Sequence, residues 1–359
     1  MLKILFLTPW YPSEKDAMSG LFVQKHVEAV HAQGCEVRVI FSDTWRDTWR
    51  QWCALRREGW MPDVVQLNVI QKQGLLALYL KKRYGIPYVI VEHWTGYLAE
   101  NPVVQPRGWH TRFMKRVCSG AEVVMPVSRQ LIGAMQALGF TAKRWEKINN
   151  VVDDFFFGRA ESREPRVESQ ESRDESRKTF LNITCFDEPH KNVKGLLNAA
   201  KMLLEKRQDW CLVLVGTGVD YKEVRAYAET LAFPEGLLRW TGELTPLQVS
   251  EEFDQADIFV LSSRFENAPV VISESLAKGV PVISTLVGGI PEMVDAESGI
   301  LVPTNDDTAL FKAMDEMLDK IDQYNPELIR IKGEQYSYAK VGKQLKDIYE
   351  FALHPGQHI

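Results

Sequence analysis

Residues 257–294, DIFVLSSRFENAPVVISESLAKGVPVISTLVGGIPEMV, leave this chain little choice of fold. The first apolar run, Ile258–Leu261, is long enough for one buried strand and too short for a helix. A polar turn over 262–267 follows, and Pro269 opens a helical segment that stops at Gly279. Proline at the first helical position and glycine just past the end is the asymmetry of a helix with defined ends. Residues 280–285 make a second buried strand, closed by Gly288-Gly289. Two buried strands joined through a helix must run parallel, with a right-handed crossover. The expected fold class is therefore α/β, with doubly wound parallel sheets.

Two carboxylates, Glu266 in the loop and Glu274 inside the helix, flank the helix start. If Pro269 is the first helical residue, Glu274 lies about 7–8 Å along the axis from it. Glu266 stays at the carboxyl end of the strand, where open α/β sheets place ligands. The unpaired amides and positive dipole of the helix N-terminus suit a phosphate. A ligand with a central diphosphate and hydroxyl-bearing groups at both ends fits this layout, and a nucleotide-sugar is such a ligand. The plainer reading makes both glutamates solvated charges.

The 359 residues suit two domains. With 45 % hydrophobic and 25 % charged residues and a net charge of −5, the composition is that of a soluble globular chain. No run of about 20 apolar residues is present to span a membrane. The start, MLKILFLTPWYP, reads as a first strand rather than a signal peptide. Five scattered cysteines (Cys35, Cys53, Cys118, Cys185, Cys211) include no C-x-x-C pair, which argues for reduced thiols in a cytoplasmic setting and against zinc. Residues 159–178 mix both charge signs with Ser and Pro and hold almost no apolar residue, so they form a solvated linker. Interleaved charge of this kind is not a nucleic-acid arm. The expected division is a first domain over 1–158, the linker over 159–178, a second domain over 179–338, and a last helix within 339–359 that packs back on the first.

In the first domain, residues 2–8 are a strand, followed by a loop, Gly20, and a helix with Val23, Val27 and Val30 on one face. G-x-G-x-x-G is missing, so a dinucleotide cofactor is disfavoured. The strand over 88–91 delivers Glu92, His93 and Trp94 at its carboxyl end, and Ser128 caps a later helix. Residues 45–57 would place Trp45, Trp49, Trp52 and Leu55 on one helical face, and Arg46, Arg50 and Arg57 on another. Packing against the domain is the first reading of that face. Peripheral contact with the inner membrane surface is the second, and the basic stretch 107–116, with Trp109 and Phe113, is its companion. In the second domain, Lys191 precedes a helix with Val193, Leu196, Leu197, Ala200 and Leu203 on one face. Gly216-Thr217-Gly218 and Thr241-Gly242 end two further strands.

Glu266, Glu274, Ala277, Gly279, Pro281, Val282 and the run 288–292 together resemble the signature of the retaining GT-B glycosyltransferases of family 4. The resemblance implies two Rossmann-like domains facing a cleft, with the donor on the second and the acceptor on the first. It implies transfer of a sugar from a UDP- or GDP-sugar to an acceptor hydroxyl of a saccharide or lipid-linked molecule, with retention and with no metal or other cofactor. It gives Glu266 the donor sugar and the developing anomeric charge, Glu274 the ribose hydroxyls, and His93 a hydrogen bond to the donor sugar. Lys191 and the helix start formed by Asn267, Ala268, Pro269 and Val270 take the diphosphate. At Gly20, Gly216 and Gly218 the backbone approaches the donor, and Thr241 borders the base. Family chains carry Gly-Arg where this one has Cys185-Phe186, while Lys191 keeps the lysine spacing. Lys194 or His190 would then supply the missing cation. A protein that binds nucleotide-sugars but has lost catalysis is the alternative, with Phe186 as its mark. A nicotinamide oxidoreductase lacks its glycine fingerprint here, and an epimerase or phosphorylase is the weaker choice on the same fold.

Overall fold

The computed structural model describes residues 1–14, 19–99, 101, 108–158 and 177–354. The chain divides into two compact units, Met1–Val151 with Gln335–Ile359, and Val152–Glu334.

The first unit alternates strand and helix: β1 (Lys3–Thr8), α1 (Leu21–Ala32), β2 (Glu36–Phe41), α2 (Trp45–Arg57), β3 (Val64–Asn68), α3 (Gly74–Tyr84), β4 (Tyr88–Glu92), α4 (Gly108–Gly120), β5 (Val124–Pro126) and α5 (Arg129–Ala137). All neighbouring strands run parallel, in the order β2-β1-β3-β4-β5. Every residue of β3 and β4 is buried, as expected of parallel strands covered by helices on both faces.

The second unit continues the alternation with β6 (Lys178–Ile183), α6 (Glu188–Lys191), α7 (Val193–Lys206), β7 (Trp210–Val215), α8 (Tyr221–Thr230), β8 (Leu238–Gly242), α9 (Pro246–Gln255), β9 (Ile258–Leu261), α10 (Val270–Lys278), β10 (Val282–Thr285), β11 (Gly299–Val302), α11 (Asp307–Lys320) and α12 (Pro326–Gly333). Its parallel sheet is ordered β11-β10-β9-β6-β7-β8, which, counted from β6, is the doubly wound order 3-2-1-4-5-6. Phe180, Leu212 and Leu214 from the sheet, Leu196, Leu197 and Leu203 from α7, and Met314 and Met317 from α11 belong to one buried cluster. Each such side chain contributes about 1.5–3 kcal/mol when it leaves water.

The element types follow the sequence reading, with ends displaced by a few residues. Four helices, α6, α8, α9 and α12, escaped it. α6 is only four residues long. α9 carries a readable signal, since Thr245 accepts from the Gln248 amide while the Gln248 side chain returns to Thr245, a capping box. Residues 152–158 pack with the second unit, because Phe156 is buried with its ring 6.1 Å from Phe253. The expected linker over 159–178 lies outside the described residues except for Arg177 and Lys178. No helix among the described residues is long and apolar enough to cross a membrane.

The last helix, α13 (Tyr338–Leu353), is capped by Ser337 and packs on α1 within the first unit. Tyr349 donates to Gln66 Oε1 at 2.5 Å, inside the unit. A Cβ on Gly342 would stand 2.5 Å from the Ala29 carbonyl oxygen, so the two helices approach through a residue without a side chain. On an exposed helix Gly→Ala gains up to about 1 kcal/mol. Here the sign reverses: Gly342→Ala should lose about 1–3 kcal/mol by overpacking, read as a lower urea midpoint. An unchanged or raised midpoint would refute this packing.

Candidate active site

In an open α/β sheet the ligand crevice lies where the strand order reverses, outside the carboxyl ends of the two central strands. In the second unit those strands are β6 and β9, paired at Phe180↔Ile258 and Leu181↔Phe259. The loop behind β6 leads through α6 to Lys191, and the loop behind β9 carries Glu266. Lys191 Nζ donates to Glu266 Oε1 at 2.5 Å. Asp187 and Glu188 stand just before Lys191 in the chain, yet among the described residues its ion pair is with Glu266. The Glu188 carboxylate instead accepts from the Lys194 amide and lies 3.8 Å from Arg264. Lys191 and Glu266 side chains are only 14 % and 9 % exposed. A pair so far out of water interacts more strongly than a surface ion pair.

Glu266 is held from several sides. Ser263 Oγ donates to the same Oε1 at 2.8 Å, while Thr285 of β10 donates to the Ser263 carbonyl at 2.6 Å. The turn Gly288-Gly289 abuts this loop. A Cβ on Gly288, which has φ 58°, would lie 1.9 Å from the Glu266 carbonyl oxygen, and the Gly289 amide donates to the Asn267 carbonyl at 2.7 Å.

Pro269 stands one place outside the helix, with ψ 122°, and Val270 is the first helical residue of α10. This corrects the expected helix start. Proline at the N-cap position gives this N-terminus no side-chain cap, the condition in which a helix start can receive an anion. Glu274 is buried one turn into α10, Asn267 is buried in the loop, and Ala268 is half-buried.

Behind the other strands, several expected site residues are engaged within the protein. A Cβ on Gly216 would meet the Thr184 carbonyl oxygen at 2.0 Å, and one on Gly218 would meet the Phe186 amide nitrogen at 2.5 Å. These glycines thus also let the chain pass close to its own β6–α6 loop. Thr241, near the end of β8, turns its hydroxyl to the neighbouring Gly242 carbonyl. Phe186 is fully buried, edge-on to Tyr221 at 5.0 Å and 5.9 Å from Trp240. The position where family chains carry arginine thus serves the apolar core. Neither expected substitute is a spare cation. Lys194 pairs with Glu223 at 2.5 Å. The His190 ring stacks on Phe265 at 4.1 Å, with Nε2 2.6 Å from the Phe265 carbonyl oxygen, and burial, then Lys191, lowers its pKa. Arg264, to which the sequence reading gave no role, lies beside them with its guanidinium bonded to the Glu188 carbonyl, Asn192 and Asn305.

In the first unit, Gly20 precedes α1 at φ 71°, and a Cβ there would be 2.4 Å from the Trp10 carbonyl. This glycine is thus needed where the chain passes its own loop. Phe22 of α1 places its ring 4.1 Å from the His93 ring, and His26 is 6.1 Å away. Burial first, and His26 second, keep the His93 imidazole well below its ordinary pKa, so it is neutral. Before it stands Glu92, fully buried, which the sequence reading placed at the strand end without giving it a role. Its carboxylate accepts from the amides of Ile70, His93 and Trp94 and from the Tyr97 hydroxyl. The carboxylate thereby ties the ends of β3 and β4 together beside Val69, which is held at φ 64°. The tryptophan face of α2 is used within the unit: Trp52 is buried, Trp49 packs edge-on to Tyr79 at 5.0 Å, and Trp45 is 36 % exposed. On α4, Trp109 is 80 % exposed, and Arg107 of that basic stretch lies outside the described residues.

Burial pushes the Glu92 carboxyl up to about 7, against the pull of its donors. Its unfolded value is about 4.3, so the folded chain binds this proton more tightly. Its contribution to stability is then full below about pH 4 and is lost as pH rises towards about 7. In urea unfolding, the stability of the wild type relative to Glu92→Gln should fall as pH rises across that window. A difference that stays flat with pH would contradict the assignment.

Two protein-family profiles match the chain: Glycosyltransferase Family 4 over residues 3–154 and Glycosyl transferases group 1 over residues 165–327. The chain is similar to an N-acetyl-alpha-D-glucosaminyl L-malate synthase of Bacillus anthracis, at 28 % identity over 64 % of this chain and 59 % of that protein. It is similar also to a phosphatidyl-myo-inositol mannosyltransferase of Mycobacterium leprae, at 25 % identity over 74 % of this chain and 71 % of that one. The chain spans between 25 % and 74 % of the length of the curated relatives it matches. Among solved structures, HepE of Anabaena in complex with UDP-glucose superposes with a TM-score of 0.73 at 16 % identity, over 98 % of this chain and 100 % of that chain; that likeness speaks for the fold. The two profiles and the two doubly wound parallel sheets lead to one conclusion: the chain belongs to the GT-B glycosyltransferases of family 4.

Proposed function

We propose that the protein transfers a sugar, with retention, from a UDP- or GDP-sugar to an acceptor hydroxyl in the assembly of a polysaccharide, lipopolysaccharide or glycolipid. The observation that carries this reading is the Lys191–Glu266 pair at the reversal of strand order, beside the uncapped N-terminus of α10. Lys191 and the first amides of α10 receive the donor diphosphate, and Glu274 receives the ribose hydroxyls. As the bond from the anomeric carbon to the diphosphate breaks, the electron pair leaves with the diphosphate, where positive charge is already in place. Glu266 stabilises the positive charge that develops at the anomeric carbon. The acceptor hydroxyl attacks from the face that the diphosphate leaves, and its proton passes to a departing phosphate oxygen. The acceptor belongs to the first unit, where neutral His93 is a hydrogen-bonding partner for a sugar hydroxyl. Lys191 and the helix amides supply positive charge, so this reading requires no metal. The UDP-glucose bound by HepE and the lipid-inositol acceptor in the mannosyltransferase's name lend support to the donor and acceptor classes.

Phe186 favours a second reading, in which a nucleotide-sugar is bound but not transferred, because the buried ring removes one cation from the leaving group. Two measurements separate these readings. In a thermal-shift panel of UDP-, GDP- and ADP-sugars, one base should raise the melting temperature, and Glu274→Ala should diminish that rise. With the stabilising donor, Glu266→Gln should lower turnover by about 10²–10³-fold while donor binding persists. Stabilisation without transfer or hydrolysis would select the second reading. A melting curve unmoved by every nucleotide would sink both.

A further inference from the structure

α6 has no buried residue and only four residues of helix, and it ends at Asn192 with φ 52°. A segment so short has no core contact to fix its direction, and short helices are marginal alone. Yet it must aim Lys191. What holds it is the loop behind β9. The Arg264 amide donates to the His190 carbonyl at 2.7 Å. From the same residue, Nη1 donates to the Glu188 carbonyl, Nη2 to Asn192 Oδ1 at 2.5 Å, and Nε to Asn305 Oδ1 at 2.7 Å. Ser262 Oγ lies within hydrogen-bonding distance of the Lys191 and Asn192 carbonyls, at 3.1 and 3.0 Å.

We propose that Arg264 is a positioning residue, whose guanidinium locks α6 to the loop behind β9 so that the Lys191 ammonium is aimed before any donor binds. The inference rests on the donor reading above. Each guanidinium nitrogen already has a partner in this network, so Arg264 is a brace and not a phosphate ligand. Its three directions of donation reach Glu188, Asn192 and Asn305, on both sides of Lys191 and across to the loop behind β11. A lysine at 264 would bring the charge without the planar fork.

The test is a double-mutant cycle read by nucleoside diphosphate binding and by donor turnover. Arg264→Ala should weaken binding of the stabilising diphosphate about tenfold and lower turnover further, and Arg264→Lys should recover little of either. In a Lys191→Met background, Arg264→Ala should cost almost nothing more, because a brace has no effect once the group it aims is gone. A residue that only stabilised the fold would lower the melting temperature and multiply its loss in both backgrounds, and that result overturns the proposal. Asn305→Ala removes one arm of the brace and should give an intermediate loss, which keeps the test usable if Arg264→Ala does not fold. Wild-type protein that binds no nucleoside diphosphate would overturn the donor reading and the brace together. Normal wild-type binding with additive losses would overturn the brace alone.

Discussion

Lys191 and Glu266 are 75 positions apart in the chain, and the reversal of strand order is what makes them neighbours. The chain runs from β6 to β7 and β8 on one side, and then returns to set β9 against the other side of β6. The loops behind β6 and β9 therefore leave the sheet side by side in opposite directions. Without that reversal each would be an isolated surface loop with a solvated charge. The ion pair follows from the winding, and the proposed chemistry depends on the ion pair.

The loops around it are fastened by polar contacts and close backbone approaches more than by apolar packing. Glu266 is gripped through Ser263, Thr285 and the Gly288-Gly289 turn, and α6 through Arg264 and Ser262. In the first unit the same task falls to Glu92, a single carboxylate with four donors. These devices differ in kind from the apolar clusters beneath the sheets: they specify direction, which burial of Leu or Val does not.

Strand and helix types were legible because buried parallel strands are continuous apolar runs and the helices are bounded by glycine, proline or a capping hydroxyl. Glu266, Glu274 and Lys191 were singled out through the family resemblance, and the structure brings Lys191 and Glu266 together. Arg264 was not legible. An arginine between Ser263 and Phe265 looks like any loop cation, and its partners lie in segments remote in sequence. Glu92 carried a faint signal, as the one charged residue closing the otherwise apolar YVIVE strand. The glycines at 20, 216 and 218 were recognised as positions where the backbone needs room. What occupies that room could not be known, since it is the chain's own backbone. Phe186 stood out as a departure, and only the packing of Tyr221 and Trp240 explains which way it points.

The absent side chain of Gly288 couples two loops mechanically. A Cβ there would fall 1.9 Å from the Glu266 carbonyl oxygen, so the two segments pass with room only for glycine and neither can advance on the other without one yielding. The carboxylate loop and the turn behind β10 thus form one stiff body, and a rearrangement on the β10 side of the sheet would be felt at Glu266 as a displacement and not as slack.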